Sequence, residues 1–258
     1  MPNDQHNAKT SLDQLQTEQL RLTAFLAPNE RVVEPHWFTE LTGTEPETRV
    51  SHPSRGVFQE TGVVGGLHGL ALSVQPGRID WFLLARREEG TVPQSSWIGL
   101  VSETLPVFQS LMTTWLENAP PISRLALGAV LHEPAESREQ SYRRLAEFLP
   151  HIMISPEEST DFLYQINRPR GSSVINGLQI QRLSKWACAL NVLMQIQVAP
   201  IGQGQMTRIG EEQISSRIEL DMSTDPQFAG PLPPTFLGAL FTELVEMAVE
   251  LATAGDIA

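Results

Sequence analysis

A single cysteine, Cys188, is present in the 258 residues. This excludes a disulfide framework and any zinc site built on cysteine pairs, and a reducing cytoplasm is the compartment it implies. No apolar run approaches the roughly 20 residues that a membrane-crossing helix needs. The opening MPNDQHNAKTS has neither a basic stretch nor an apolar one, so it does not read as a signal peptide. Lysine occurs only as Lys9 and Lys185, and neither follows the glycine pattern of a phosphate-cradling Walker loop. The glycine-rich stretches at 62–69 and 201–205 do not open helices as a dinucleotide fingerprint must, and read as hairpin turns. There is no GxSxG elbow and no SxxK pair. The six histidines are scattered without ligand spacing. The expectation is therefore of no catalytic residue, no metal and no cofactor.

Acidic residues are also missing where they matter most. The chain has net charge −12, yet Phe162 to Gly210 holds no Asp or Glu while Arg168, Arg170, Arg182, Lys185 and Arg208 are all basic. From Glu211 to the end the balance inverts, with nine acids against Arg217 alone. Such segregation points to a contact between the two segments or to an anionic partner.

The periodicities predict an α+β fold: a mostly antiparallel sheet of about eight strands, with amphipathic helices on one face. Ser11 and Gln14 form a capping-box pattern, and Leu12, Leu15, Leu22 and Leu26 a partial stripe, predicting an N-terminal helix within residues 1–30. Residues 27–55, with four prolines, read as an irregular lead-in. GVFQET, then LHGLALSVQ and RIDWFLL joined by Pro76-Gly77, read as strands. Phe108, Leu111, Met112, Trp115 and Leu116 mark a helix; RLALGAVL a strand; and Ser137 with Gln140 caps a helix through Tyr142, Leu145 and Leu149. Apolar residues at every even position from Trp186 to Val198, after Leu178 and Ile180, predict one long half-buried strand, entered from an Asn176-Gly177 hairpin and bent near residues 182–185. RIELDM is a further strand, and the last helix sets Phe241 and Leu244 against an acidic face of Glu243, Glu246 and Glu250. GRIDWFLL and SRIELDMS each precede a long helix, which suggests a two-fold pseudo-repeat with halves 56–135 and 136–258 inside a single 31–258 domain.

The chemistry-bearing candidates are few. Tyr164 and Ile166 share a strand face that Arg168 continues. Pro169 then stops ladder donation, and Arg170-Gly171-Ser172-Ser173 forms a turn rich in hydroxyls and backbone N–H groups. Guanidiniums beside such a turn bind carboxylate or phosphate, and Arg182 and Lys185 are expected to converge on it. The same residues serve three readings: internal pairing with the acidic last helix or with Glu211-Glu212, a protein partner, or nucleic acid. His132-Glu133 is a weak acid/base candidate because neighbours on a strand point apart. Asp80, Glu219 and Asp221 could pair as carboxylates for a metal-dependent hydrolase, but each has Arg78 or Arg217 nearby, which suggests a solvated charge-paired face.

WFTELTGTEPETR, PGRIDW, RLALGAVL, DFLYQINRPR, LSKW, RIELDMSTD and ELATAGDI together resemble an uncharacterised, sporadically distributed family of bacterial proteins of about this length. The resemblance implies a bacterial cytosolic protein from a mobile or antiviral-defence gene cluster, and carries over no catalytic residue. The resulting expectation is a non-enzymatic protein-binding or assembly subunit, able to form homo-oligomers and bound to no membrane. Its contact surface would be Tyr164, Arg168, Arg170, Arg182 and Lys185; the alternative is a nucleic-acid- or nucleotide-binding component that uses the same residues.

Overall fold

A computed structural model describes residues 11–33, 35–66, 68–86, 97–191, 194–198, 204–208 and 212–256, with 194–198 and 204–208 as backbone only. The expectations for residues 1–10 and Val192, and part of those for the 201–205 loop and Glu211-Glu212, lie outside the described residues.

The elements run β1 (Gln16–Leu26), α1 (Trp37–Thr42), β2 (Thr48–His52), β3 (Val57–Val64), β4 (His68–Gln75), β5 (Arg78–Ala85), β6 (Gly99–Leu100), α2 (Val101–Leu116), β7 (Ile122–Ala135) and α3 (Arg138–Phe148). There follow β8 (Leu163–Asn167), β9 (Arg170–Gly171), β10 (Gln179–Asn191), β11 (Met194–Val198), β12 (Gly204–Arg208), β13 (Gln213–Thr224) and α4 (Leu237–Ala254). One antiparallel sheet of eleven strands has the order β2-β3-β4-β5-β1-β7-β13-β10-β8, with β6 beside β1 and β9 beside β10; β11 and β12 pair separately. The fold class is α+β as expected, with more strands than the eight foreseen.

The largest departure is at the start. Ser11 and Gln14 do make the capping box, but it closes only a 3-10 turn, Leu12–Gln14. The chain then enters β1, which lies between β5 and β7 in the middle of the sheet. Leu20, Leu22, Ala24 and Leu26 alternate into the core with period two. The lead-in likewise contains α1 and the exposed edge strand β2. The halves 56–135 and 136–258 find no support in the strand order: β1 lies outside both, and β7 is hydrogen-bonded to β13 across the supposed boundary.

Register aligns the core. Leu22 opposes Leu127, Leu127 opposes Met222, and Ile218 opposes Trp186, all on the face that the helices cover. Trp115 of α2 meets Trp81 and Trp37, Phe241 of α4 meets Phe108, and Phe148 of α3 packs 5.1 Å from Trp186. The opposite sheet face, which includes Arg21, Lys185, Glu219 and Asp221, is half-exposed to solvent. No helix among the described residues is long and apolar enough to cross a membrane.

Candidate functional site

The basic segment is built from an edge strand and a turn. In β8 the side chains alternate, so Tyr164 and then Arg168 lie toward the helices, and the Arg168 N–H still bonds the Arg182 carbonyl at 3.3 Å. Pro169 has no N–H to give. After β9 the chain turns through residues 172–178, with Gly177 at φ 79°, and returns as β10.

Three acidic residues from the C-terminal end of the chain fill this segment. Glu243 and Glu250 are seven residues apart on α4, two helical turns, so they share one face. Asp256 follows the helix. Ser172 donates its hydroxyl to Glu243 at 2.6 Å, and Ser173 donates its N–H at 2.5 Å and its hydroxyl at 2.7 Å. Arg170 grips both oxygens of Glu250 at 2.7 and 2.9 Å. Arg168 grips both oxygens of Asp256 at 2.6 and 3.0 Å, and the Tyr164 hydroxyl donates to Asp256 at 2.8 Å. The RGSS turn is thus an anion-binding loop, and its anion is the chain's own.

Arg182 is the costly member. Its β10 position opposes Met222 on the covered face, and its guanidinium lies 3.5 Å from Glu250 with Nε and Nη2 making no hydrogen bond. Burial, and then the neighbouring Arg170, pull its pKa down. Lys185 is not part of the cluster. It is three residues from Arg182, an odd step on a strand, so it emerges on the opposite face and pairs with Glu219 at 3.0 Å.

The acids respond to these contacts. Arg168 holds the Asp256 carboxyl below its ordinary range against the opposing effect of burial, and Tyr164 adds to the lowering. Burial alone would raise Glu243, but its hydrogen bonds from Ser172 and Ser173 together bring it down. Glu18 is lowered chiefly by its hydrogen bond from His132. A lowered carboxyl contributes stability that is complete above its unfolded pKa, about 4, and is lost as pH falls through the folded value. The melting temperature should therefore be flat from about pH 5.5 to 7 and fall steeply below about pH 4, with a shallower fall for Glu243→Gln. A melt unchanged down to about pH 3 would contradict this.

The carboxylates proposed for metal-dependent hydrolysis are not brought together. Asp80 is buried, accepting from Thr23 at 2.6 Å and paired with Arg78 at 2.7 Å. Its row crosses β1 and β7 through Thr23 and Ala126 to reach Ser223 of β13, not Asp221. Three strand spacings, about 14 Å, separate β5 from β13. Glu219 meets Lys185 and Arg217, and Asp221 meets Arg21. Among the described residues no group of three or more His, Cys, Asp or Glu is placed to hold a metal.

His132 and Glu133 point apart. Glu133 binds Arg144 of α3 at 2.7 and 2.8 Å. On the other face, His132 Nε2 donates to Glu18 at 2.6 Å and Nδ1 meets the Ser215 hydroxyl at 2.8 Å. The register slips between Thr17 and Gln19, and this bulge leaves Glu18 between the paired positions. The order Ser215–His132–Glu18 is that of an activated nucleophile. Ser215 and His132 are fully buried, however, so the hydroxyl cannot meet a substrate, and the trio works as a polar tie across β1, β7 and β13.

Comparison with known proteins gives no match: no family model, curated protein or solved structure is similar to this chain. Function is therefore argued from geometry.

What is available for contact lies on the uncovered face. In order of contact Glu18, Arg217, Glu219 and Lys185 form a row, with distances of 3.9, 3.0 and 3.0 Å between neighbours. A depression of about 290 Å³ beside it is lined by Arg21, Leu183, Lys185, Glu219 and Asp221. Gly128 in β7 keeps the floor flat, because a Cβ there would lie 3.2 Å from the Arg21 guanidinium.

Proposed function

We propose that the protein is a binding and assembly subunit that associates through the uncovered face of its sheet, with a second copy of the chain as the first partner. The observation that carries this reading is the row Glu18, Arg217, Glu219, Lys185, which alternates in sign. A two-fold axis lying across such a row reverses it, so minus-plus-minus-plus faces plus-minus-plus-minus. Every charge then meets its opposite, the arrangement an isologous interface requires. Lys185 stays in the contact surface, while Tyr164, Arg168, Arg170 and Arg182 serve to hold α4. A nucleic acid at those arginines would have to displace Glu250 and Asp256.

Sedimentation velocity across a hundredfold concentration range tests the assembly. Dimerisation is expected that weakens with salt, and Lys185→Glu should weaken it by about tenfold or more. A wild-type chain that stays monomeric at every concentration would sink the proposal.

A further inference from the structure

At the other end of the sheet from the clasped helix, a cavity of about 510 Å³ opens where β1 ends. Its walls are the stretch after β1, the 3-10 turn Pro53–Arg55 and the β4–β5 turn at Pro76-Gly77. The volume lies in the range that small-molecule sites occupy, roughly 300–1,000 Å³. The floor is apolar: Leu26, Phe58 and Val74 are buried core residues whose side chains end here. Val33 stands on the rim with 85% of its surface exposed.

The charge at the mouth is the more telling feature. Among the arginines whose side chains are described, every other one has a carboxylate or hydrogen-bond partner: Asp221 for Arg21, Glu60 for Arg49, Asp80 for Arg78, Ser223 for Arg124, and so on through the clasp. Arg31 and Arg55 have none, and both line this cavity. In a chain of net charge −12, acids to pair with them are plentiful, yet among the described residues Glu30 alone of the acids lines the cavity. Among the described residues two guanidiniums stand against one carboxylate, an excess of positive charge beside an apolar floor. Guanidinium is the side chain suited to two-point recognition of carboxylate or phosphate.

We infer that this cavity binds an amphiphilic anion: an apolar body seated on Leu26, Phe58 and Val74, with a carboxylate or phosphate head held between Arg31 and Arg55. The site is separate from the sheet face assigned to assembly and stands whether or not that assembly occurs.

Calorimetric titration of the full chain with octanoate, octyl phosphate, octanol and inorganic phosphate tests it. One or both amphiphilic anions should bind with a dissociation constant in the tens to hundreds of micromolar, roughly what ligands of this size reach. Which of the two binds more tightly identifies the head group. Octanol and inorganic phosphate should each bind at least about tenfold more weakly, since one lacks the charge and the other the apolar body. Arg31→Ala and Arg55→Ala should each weaken binding by about tenfold. The double variant should abolish saturable binding while its ligand-free melting temperature stays at the wild-type value, because neither side chain has a partner to lose. The inference is overturned if neither amphiphilic anion binds, if octanol or inorganic phosphate binds as tightly, or if the double variant binds like wild type.

Discussion

Replacing Gly255 by alanine is expected to lower the melting temperature by about 10 °C, since this is the tightest placement of an added methyl among the described glycines. Gly255 ends α4 at φ 77°, ψ −165°, a backbone region open essentially to glycine alone. A Cβ there would lie 2.1 Å from the Phe148 carbonyl oxygen and 2.7 Å from its carbon. Both are backbone atoms, so no side chain can swing aside. The close approach is itself needed, because the same carbonyl accepts the Asp256 N–H at 3.0 Å and ties the end of α4 to the end of α3. Conformational strain and overpacking together cost about 4 kcal/mol, which corresponds to roughly 10 °C in a chain of this size. Gly43→Ala is the control. It also has positive φ, 71°, but nothing lies within 4 Å of its Cβ position, so only about 1 kcal/mol of backbone strain is expected. Thermal melts of the two variants should differ severalfold in their shifts, and equal shifts would contradict the packed C-terminus.

Asp256→Ala carries the second large effect, a loss of about 2–3 kcal/mol measured by urea denaturation. The carboxylate is nearly buried, with 5% of the side chain exposed, and it receives three hydrogen bonds from Arg168 and Tyr164. Its removal strands the Arg168 guanidinium near Arg170 and Arg182, adding to a repulsion that, after burial, already depresses Arg182. Truncating Arg168 instead should cost less, because 37% of its side chain faces solvent and water replaces part of what is lost. A loss below about 0.5 kcal/mol for Asp256→Ala would show that the clasp adds little to the fold.

The sheet was legible wherever alternation ran long. β4, β5, β13 and β10 as far as Trp186 follow their apolar phase, and Leu70, Leu72, Ile79, Trp81, Trp186 and Ile218 are core residues as the pattern requires, whereas Leu190 is 57% exposed and the long strand expected to Val198 ends at Asn191. β1 was obscured by a true local signal: the Ser11 capping box forms, but the 3-10 turn it starts stops at Gln14. Leu12, Leu15, Leu22 and Leu26 imitate a helical stripe, while the period-two run from Leu20 to Leu26 is short and interrupted by a buried Thr23. β2 has no apolar alternation, since it is an exposed edge.

At the candidate site the chemistry of the RGSS turn was readable and its occupant was not. A turn with hydroxyls and free N–H groups announces an anion, but only the tertiary fold brings Glu243 to Ser172 and Ser173. The separation of Arg182 from Lys185 was readable too, because an odd step along a strand reverses the face. The Ser215–His132–Glu18 tie gave no local signal, since its members come from three strands and one depends on a bulge.

Residues 164–182 grip the chain's own C-terminal acids, and a double-mutant cycle on Arg168→Ala and Asp256→Ala measures that grip directly. A coupling free energy of about 1–2 kcal/mol at low salt, shrinking below about pH 4 as Asp256 protonates, is the expected result. Fully additive losses, with coupling below about 0.3 kcal/mol, would contradict it and return these arginines to the surface as free anion-binding groups.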